Sequence, residues 1–186
     1  TCLVDGYEGR WKAQMERLMT TGLDRSSAVQ LSDGSVASAF RTTGCSWIPA
    51  CEAAFFTLCK NYFVQSDPER SAKAAQAARL AFASFLRWQR PNGPFSPVEH
   101  LLPPEYRLGY EPYTADGHHG NMPLGFFSRA VLDGFDDDPL FTWDREPTVF
   151  IEGDPTYRAL VHRGIYSAHV NAWANDHYDG FGLVDL

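Results

Sequence analysis

The residues best suited to chemistry lie in one polar stretch, 106–121. It holds three tyrosines, two acids, one arginine and two adjacent histidines, and it has neither helical nor strand periodicity. A loop that leads into a helix is a good place to present side chains to a cleft. A carboxyl or imidazole group there could act as a general acid or base, and a tyrosine hydroxyl could transfer a proton. The candidate catalytic residues are Tyr110, Glu111, Tyr113, Asp116, His118 and His119, with Arg107 as a substrate-binding residue.

The alternative interpretation of this stretch is a surface loop. Asn121 or Asp116 would then cap the following helix, with the tyrosines packed beneath. The pair His118 and His119 suggests a metal, but adjacent side chains point apart on most backbones, and no His-Glu-x-x-His or His-x-His pattern accompanies them. The four cysteines contain no Cys-x-x-Cys spacing either. We therefore predict neither a metal nor a cofactor.

Two further groups of polar residues are candidates for substrate binding. His169 and Asn171 fall at positions i and i+2 of a strand pattern, so both could reach one ligand from the same face. Isolated histidines on strands are more often structural, which is the alternative here. Arg41 and Trp47 lie near the turn-forming sequence 32–35 and could face the same cleft; a simple turn before a helix is the competing interpretation.

Apolar periodicity predicts helices over the first two thirds of the chain. The first runs from 7 to 21 and is closed by Gly22. The second runs from 47 to 63 and is apolar around most of its circumference, as in a helix packed on two sides. Ser46 is its predicted cap, and Pro49 falls in its first turn.

Two more helices follow. The third begins at the capping sequence 66–69 and ends before the breaker sequence 91–94. The fourth runs from 122 to 132, again with Pro123 in its first turn. The residues expected on the buried face of the third helix are Ala75, Ala78, Phe82, Phe85 and Leu86.

The last third of the chain loses the helical period and predicts strands at 148–151, 157–171 and 181–186. Neither face of the long middle strand is purely polar, so we expect it to be covered on both sides or to line a cleft. Its alternation places Leu160, His162 and Tyr166 on one face and Ser167, His169 and Asn171 on the other.

Helices first and strands later indicate an α+β architecture. The predicted division is a helical region at 1–139 and the start of an antiparallel β domain at 140–186. The final strand ends without a turn, and we expect the sequence to be part of a larger protein.

Composition excludes two classes of partner. The formal net charge is −7 and no block of lysines and arginines opposes it, so a nucleic acid or an anionic membrane surface is not expected. No uninterrupted apolar run reaches the length of about 18 residues that a membrane span needs. Aromatic residues make up 14% of the chain, more than core packing accounts for, which favours a ligand surface.

Three short segments resemble those of the (α/α)-toroid carbohydrate-active enzymes. The segment 89–95 is similar to the Gln-x-x-x-Gly-x-Phe sequences that end toroid helices, and 113–120 is similar to their Asp-Gly site loops. His169 ahead of 182–185 resembles the β-domain histidine strand of the lyases. The resemblance is to the heparinase II/III-like and alginate-lyase types, with the unsaturated glucuronyl hydrolases as neighbours. The lyase His-x-His-x-Asp run is absent, since Asn171 and Trp173 stand where His and Asp would be, and this leaves a β-domain metal unsupported.

The resemblance implies helical hairpins of toroid type, secretion or periplasmic location, and cleavage of glycosidic bonds in a polysaccharide containing uronic acids. In a lyase, a tyrosine or histidine would remove the C5 proton, with Arg107 near the sugar carboxylate. In a hydrolase, Glu111 and Asp116 would be the paired carboxylates. The sequence leaves both mechanisms open. The alternative from another class is a non-catalytic glycan-binding or structural segment.

Overall fold

The computed structural model describes residues 10–35, 46–89, 91, 117–136, 145–153, 158–172 and 182–185. Within this part, four helices precede four strands, which confirms the predicted α+β architecture. The elements are α1 (Arg10–Val29), α2 (Trp47–Phe63), α3 (Pro68–Leu86), α4 (Gly117–Leu132), β1 (Arg145–Glu152), β2 (Arg158–Gly164), β3 (Tyr166–Asn171) and β4 (Gly182–Asp185). None of these helices combines the length and the apolarity that crossing a membrane requires.

Helices α2 and α3 form an antiparallel hairpin. The Ser71 hydroxyl donates a hydrogen bond to the Lys60 carbonyl at 2.9 Å, which joins the end of α2 to the start of α3. At the same end, Lys60 Nζ and Asn61 Nδ2 donate to the carbonyls of Gly134 and Asp133, just after α4, at 2.7 and 2.6 Å. Helix α4 therefore runs parallel to α2, and these two helices begin at one common end of the layer.

Aromatic rings fill the space between α3 and α4. Phe82 stacks on Phe127, with ring centroids 4.7 Å apart, and meets Phe135 edge-on at 5.0 Å. Phe82 and Phe85 are buried against Ala50 of α2, as predicted. The prediction for Leu86 is wrong, because this side chain is 42% exposed. It lies beyond Phe82 around the helix, past the face that α2 and α4 cover.

Helix α1 continues eight residues past its predicted end. A Cβ atom at Gly22 would lie 2.9 Å from the Phe55 ring, so this glycine serves a close approach to α2 and does not end the helix. Along its length α1 follows α3: Asp24 pairs with Lys73 at 3.3 Å, and Gln30 Nε2 donates to the Ala77 carbonyl at 3.0 Å. Helix α1 is therefore antiparallel to α2.

The turn after α1 is fixed against α3. Gly34 has a φ of 84°, and a Cβ atom there would stand 1.9 Å from the Leu80 carbonyl oxygen. No side chain fits at this distance, so the backbones touch directly. Arg87 Nη1 donates to Asp33 Oδ2 at 2.8 Å and ties the end of α3 to the same turn.

Helix boundaries follow the predictions in part. Helix α2 has the predicted bounds, but the Ser46 side chain makes no capping hydrogen bond. At α3, Asp67 is the cap, because its Oδ1 accepts from the Arg70 N–H at 3.0 Å. Helix α4 begins at Gly117, five residues before its predicted start, so Pro123 lies inside the helix and not in its first turn. Gly134, with a φ of 79°, follows the end of α4.

The four strands form one antiparallel sheet in the order β1-β2-β3-β4. The predicted single strand at 157–171 is wrong: it is a hairpin, in which Arg163 pairs with Tyr166 across a two-residue turn. Gly164, with a φ of 59°, takes the first central position, where hairpin turns of type II′ need a positive φ. The hairpin places His162 opposite Ser167, so both lie on one face, contrary to the predicted alternation.

The aromatic cluster should carry a large share of the stability. We expect Phe85→Ala to lower the free energy of unfolding by about 3–5 kcal/mol, because it leaves a cavity against Ala50 and Phe127. Chemical denaturation measures this change. Leu86→Ala is the matched control, and a similar loss in both variants would contradict the described packing.

The turn at Gly34 combines two constraints that can be measured separately. These constraints are the positive φ and the contact with the Leu80 carbonyl. Gly134 has the positive φ alone, since nothing lies within 4 Å of its Cβ position, so Gly134→Ala should lower the free energy of unfolding by about 1 kcal/mol. Gly34→Ala adds the clash with the Leu80 carbonyl and should cost clearly more. Thermal or urea unfolding of both variants tests this order, and equal losses would exclude the close backbone contact.

Candidate functional site

Most of the predicted catalytic stretch lies outside the described residues. This holds for Tyr110, Glu111, Tyr113 and Asp116, and also for the predicted binding residues Arg107 and Arg41. Their convergence on one pocket stays a prediction.

The backbone of His118 and His119 is described and forms the first turn of α4, while their side chains lie outside the described part. Because α2 and α4 run parallel, this turn is at the end of the helical layer where Trp47 begins α2. Trp47 is partly buried, and its indole Nε1 has no hydrogen-bond partner among the described residues. A buried indole N–H usually has a hydrogen-bond partner, and the described residues supply none for this one.

The face of the sheet that meets the helices is polar. His169 and Asn171 share this face, as predicted, and are only 1% and 2% exposed. His162 and Ser167 lie beside them and are also buried. Leu160 lies on the same face but is apolar, and it packs against Val29 and Leu31 together with Phe150.

Two hydrogen bonds fasten this polar face to the end of α1. The Ser32 N–H donates to Ser167 Oγ at 2.8 Å. His162 Nε2 lies 3.2 Å from the Ala28 carbonyl; a carbonyl only accepts, so Nε2 carries the proton. His162 and Ser167 thus have a structural role, as the alternative for strand histidines anticipated.

The opposite face of the sheet is apolar and exposed. Ile151 is 74% exposed and Tyr166 is 73% exposed, and the valines at 149, 161 and 170 are also open to solvent. Antiparallel sheets with one covered face usually bury the apolar side and solvate the polar one. This sheet does the reverse, so its polar face is turned toward the helices, where a polar ligand site can form.

Sequence reasoning missed Glu52. It is the single acid of α2, and its Oε2 is buried without a hydrogen-bond partner among the described residues. Burial raises the pKa of Glu52 from 4.5 to about 8, so the carboxyl group keeps its proton at neutral pH. Burial, and then the nearby Glu52 carboxyl, also raise the pKa of Cys51. The signal available in the sequence was a lone acid inside an otherwise apolar helix.

Helical spacing places Glu52 on the side of α2 that faces α1. Phe55 follows it at i+3, and the Phe55 ring is the part of α2 that lies against Gly22 of α1. Because α1 and α2 are antiparallel, the turn of α2 that precedes Phe55 lies nearer the last turn of α1. The sheet contacts that same turn through Ala28.

Metal binding finds no support in the described part of the chain, where no three His, Cys, Asp or Glu side chains are grouped to hold an ion. Comparison with protein-family models, with curated proteins and with solved structures finds no match. The assignment of function consequently depends on the geometry of these residues.

Burial of Glu52 should make stability depend on pH. Between about 4.5 and 8, the unfolded chain releases this proton while the folded chain keeps it, so the free energy of unfolding falls as pH rises through that window. The slope from this group is about 1.4 kcal/mol per pH unit. Glu52→Gln, which stays neutral, should remove the slope and make the protein more stable than wild type at pH 8.

Urea unfolding at several pH values between 5 and 8 measures the effect. Glu69→Gln is the control, since it removes an exposed carboxyl group from the first turn of α3. If Glu52→Gln kept the wild-type pH slope, Glu52 would be ionised in the folded protein and the assignment of a buried neutral acid would be wrong.

Proposed function

We propose that this protein degrades polysaccharides by cleaving glycosidic bonds, with glycans that contain uronic acids as the substrate class. The observation that carries the proposal is the polar, buried face of the sheet, which presents His169 and Asn171 toward the helices. Sugars offer many hydroxyl groups that donate and accept hydrogen bonds, and imidazole and amide groups complement both roles.

The helical layer supports the same location. The first turns of α2 and α4 lie at one end, and the last turn of α1 reaches that end because α1 is antiparallel to α2. Trp47 stands in the first of these turns, and His118 and His119 in the second. In this proposal Trp47 contacts a sugar ring, and the stretch that precedes α4 supplies the catalytic side chains.

Two mechanisms remain within the proposal. In elimination, Tyr110, Tyr113, His118 or His119 removes the C5 proton beside a carboxylate that Arg107 neutralises. In hydrolysis, carboxyl groups act as acid and base, with Glu111 and Asp116 as the pair predicted from sequence. The two mechanisms differ in product, because elimination leaves an unsaturated uronate that absorbs ultraviolet light and hydrolysis does not.

A second candidate is glycan binding without catalysis. It is compatible with the two hydrogen bonds that His162 and Ser167 make to α1 and the turn after it, which give part of the polar face a structural role. Binding of an oligosaccharide without release of reducing ends would identify this function.

A panel of acidic and neutral polysaccharides tests the proposal. We expect the protein to release reducing ends from at least one uronate-containing glycan, and the ultraviolet absorbance of the products decides between elimination and hydrolysis. If the protein neither cleaved nor bound any glycan of the panel, both candidate functions would be contradicted.

The role of the polar face is tested by His169→Gln. Loss of one hydrogen bond to a sugar, worth about 1.4 kcal/mol, should raise KM about tenfold. Val170→Thr is the matched control, since Val170 is the next residue and points to the exposed face. Equal KM values in both variants and the wild type would place the substrate away from this face.

A further inference from the structure

Strand β4 contains one irregularity, and it changes the face on which the last residue of the strand lies. Leu183 pairs with Val170, which belongs to the exposed, apolar face of the sheet. Alternation in a regular strand would place Asp185 on that same face, two residues further on. Asp185 pairs instead with His169, so Val184 is an extra residue, a β-bulge, between the two pairs. Because paired residues of antiparallel strands share a face, the bulge brings Asp185 to the polar face.

The position opposite His169 gives this bulge a chemical consequence. His169 is only 1% exposed, and a buried imidazole ring needs hydrogen-bond partners for its nitrogen atoms. Residues that lie directly opposite each other in antiparallel strands have Cβ atoms about 4.5–5.5 Å apart. The carboxylate oxygens of an aspartate and the Nδ1 atom of a histidine are both two bonds from Cβ, so the two groups have the same short reach. Asp185 is also the single charged residue of β4.

The register of the sheet arranges the charges of the polar face in two separate pairs. Arg158 of β2 lies opposite Glu152 of β1, so a base faces an acid at that side of the sheet. Arg158 also pairs with Asn171 of β3, which places it two strands away from β4. Asp185 at the other side therefore has His169, and not Arg158, as the polar residue across from it.

We propose that Asp185 is a positioning residue for His169, the histidine that the proposed function assigns to glycan binding. The Asp185 carboxylate accepts a hydrogen bond from His169 Nδ1, and this fixes the neutral imidazole ring in the tautomer that has its proton on Nδ1. The other ring nitrogen, Nε2, then carries the lone pair that a sugar hydroxyl group needs as an acceptor. This last step rests on the proposed function, whereas the pairing of the two residues does not.

Nuclear magnetic resonance of the whole chain, with ¹⁵N in the rings of its six histidines, reads the tautomer directly. At pH 8 an ordinary histidine is neutral, and we expect His169 of the wild type to carry its proton on Nδ1. Asp185→Ala should lose this preference. Asp185→Asn should keep it, because the amide oxygen can accept the same hydrogen bond. His169→Gln identifies the His169 signals by their disappearance.

Leu183→Ala is the matched control, since it shortens a side chain of the same strand on the opposite face. It should leave the His169 tautomer unchanged. The same change in Leu183→Ala and Asp185→Ala would reveal a general disturbance of β4 and overturn the inference. A proton on Nε2 in the wild type would also overturn it, and that measurement decides the question even if Asp185→Ala fails to fold.

Kinetics on the cleaved glycan test the functional part separately. KM should rise about three- to tenfold in Asp185→Ala and stay near the wild-type value in Asp185→Asn. An unchanged KM in Asp185→Ala, together with a changed tautomer, would overturn the positioning role and leave the proposed function in place. If the wild-type protein neither cleaves nor binds a glycan, the proposed function and the positioning role both fail, while the tautomer still decides whether the two residues pair.

Discussion

The end of α1 and the turn after it hold the described structure together. The turn reaches α3 through Gly34, whose backbone touches the Leu80 carbonyl, and through the ion pair between Asp33 and Arg87. On its other side, the same segment binds the sheet through Ala28 and Ser32. In the described part of the chain, this segment contacts both the helices and the strands, and it borders the candidate site.

The polarity of the sheet follows from this attachment. The end of a helix leaves carbonyl groups without partners inside the helix, and a surface that covers such an end must supply donors. His162 supplies one to Ala28. A polar sheet face is therefore compatible with burial here, and the apolar residues, such as Ile151, occupy the outer face. The same polar face carries His169 and Asn171, the residues that the proposed function assigns to glycan binding.

Parts of this fold are readable from sequence because their signals are local. Helix α2 has the bounds that its apolar period predicts, and the pairing of Phe82 with Phe85 follows from spacing. Other parts were misread where one signal has two meanings. Gly22 looks like a helix end, but its function is the approach of Phe55, which depends on a residue 33 positions away. The hairpin at Gly164 was missed because Gly-Ile is a weak turn signal and the alternation of residues continues through it.

In the candidate site, too, some features follow from local sequence signals and others depend on tertiary contacts. That His169 and Asn171 share a face follows from the period of two in a strand, whereas their burial depends on tertiary contacts. Glu52 was overlooked because nothing near it in sequence marks it as unusual except its isolation among apolar residues. Its altered acidity arises from packing against distant elements. The roles of the tyrosines and acids before α4 stay predictions, because those residues lie outside the described part.

The hydrogen bond between Ser32 and Ser167 joins residues 135 positions apart, and this separation has a consequence for the order of folding. The α2–α3 hairpin and the β2–β3 hairpin each connect neighbouring segments, so they can form early and independently. Attachment of the sheet to α1 requires a long loop to close, which costs more chain entropy and comes later. A folding intermediate would then contain both hairpins but not the surface between them. In the proposed function, the surface assigned to the glycan would be completed only in the final step of folding.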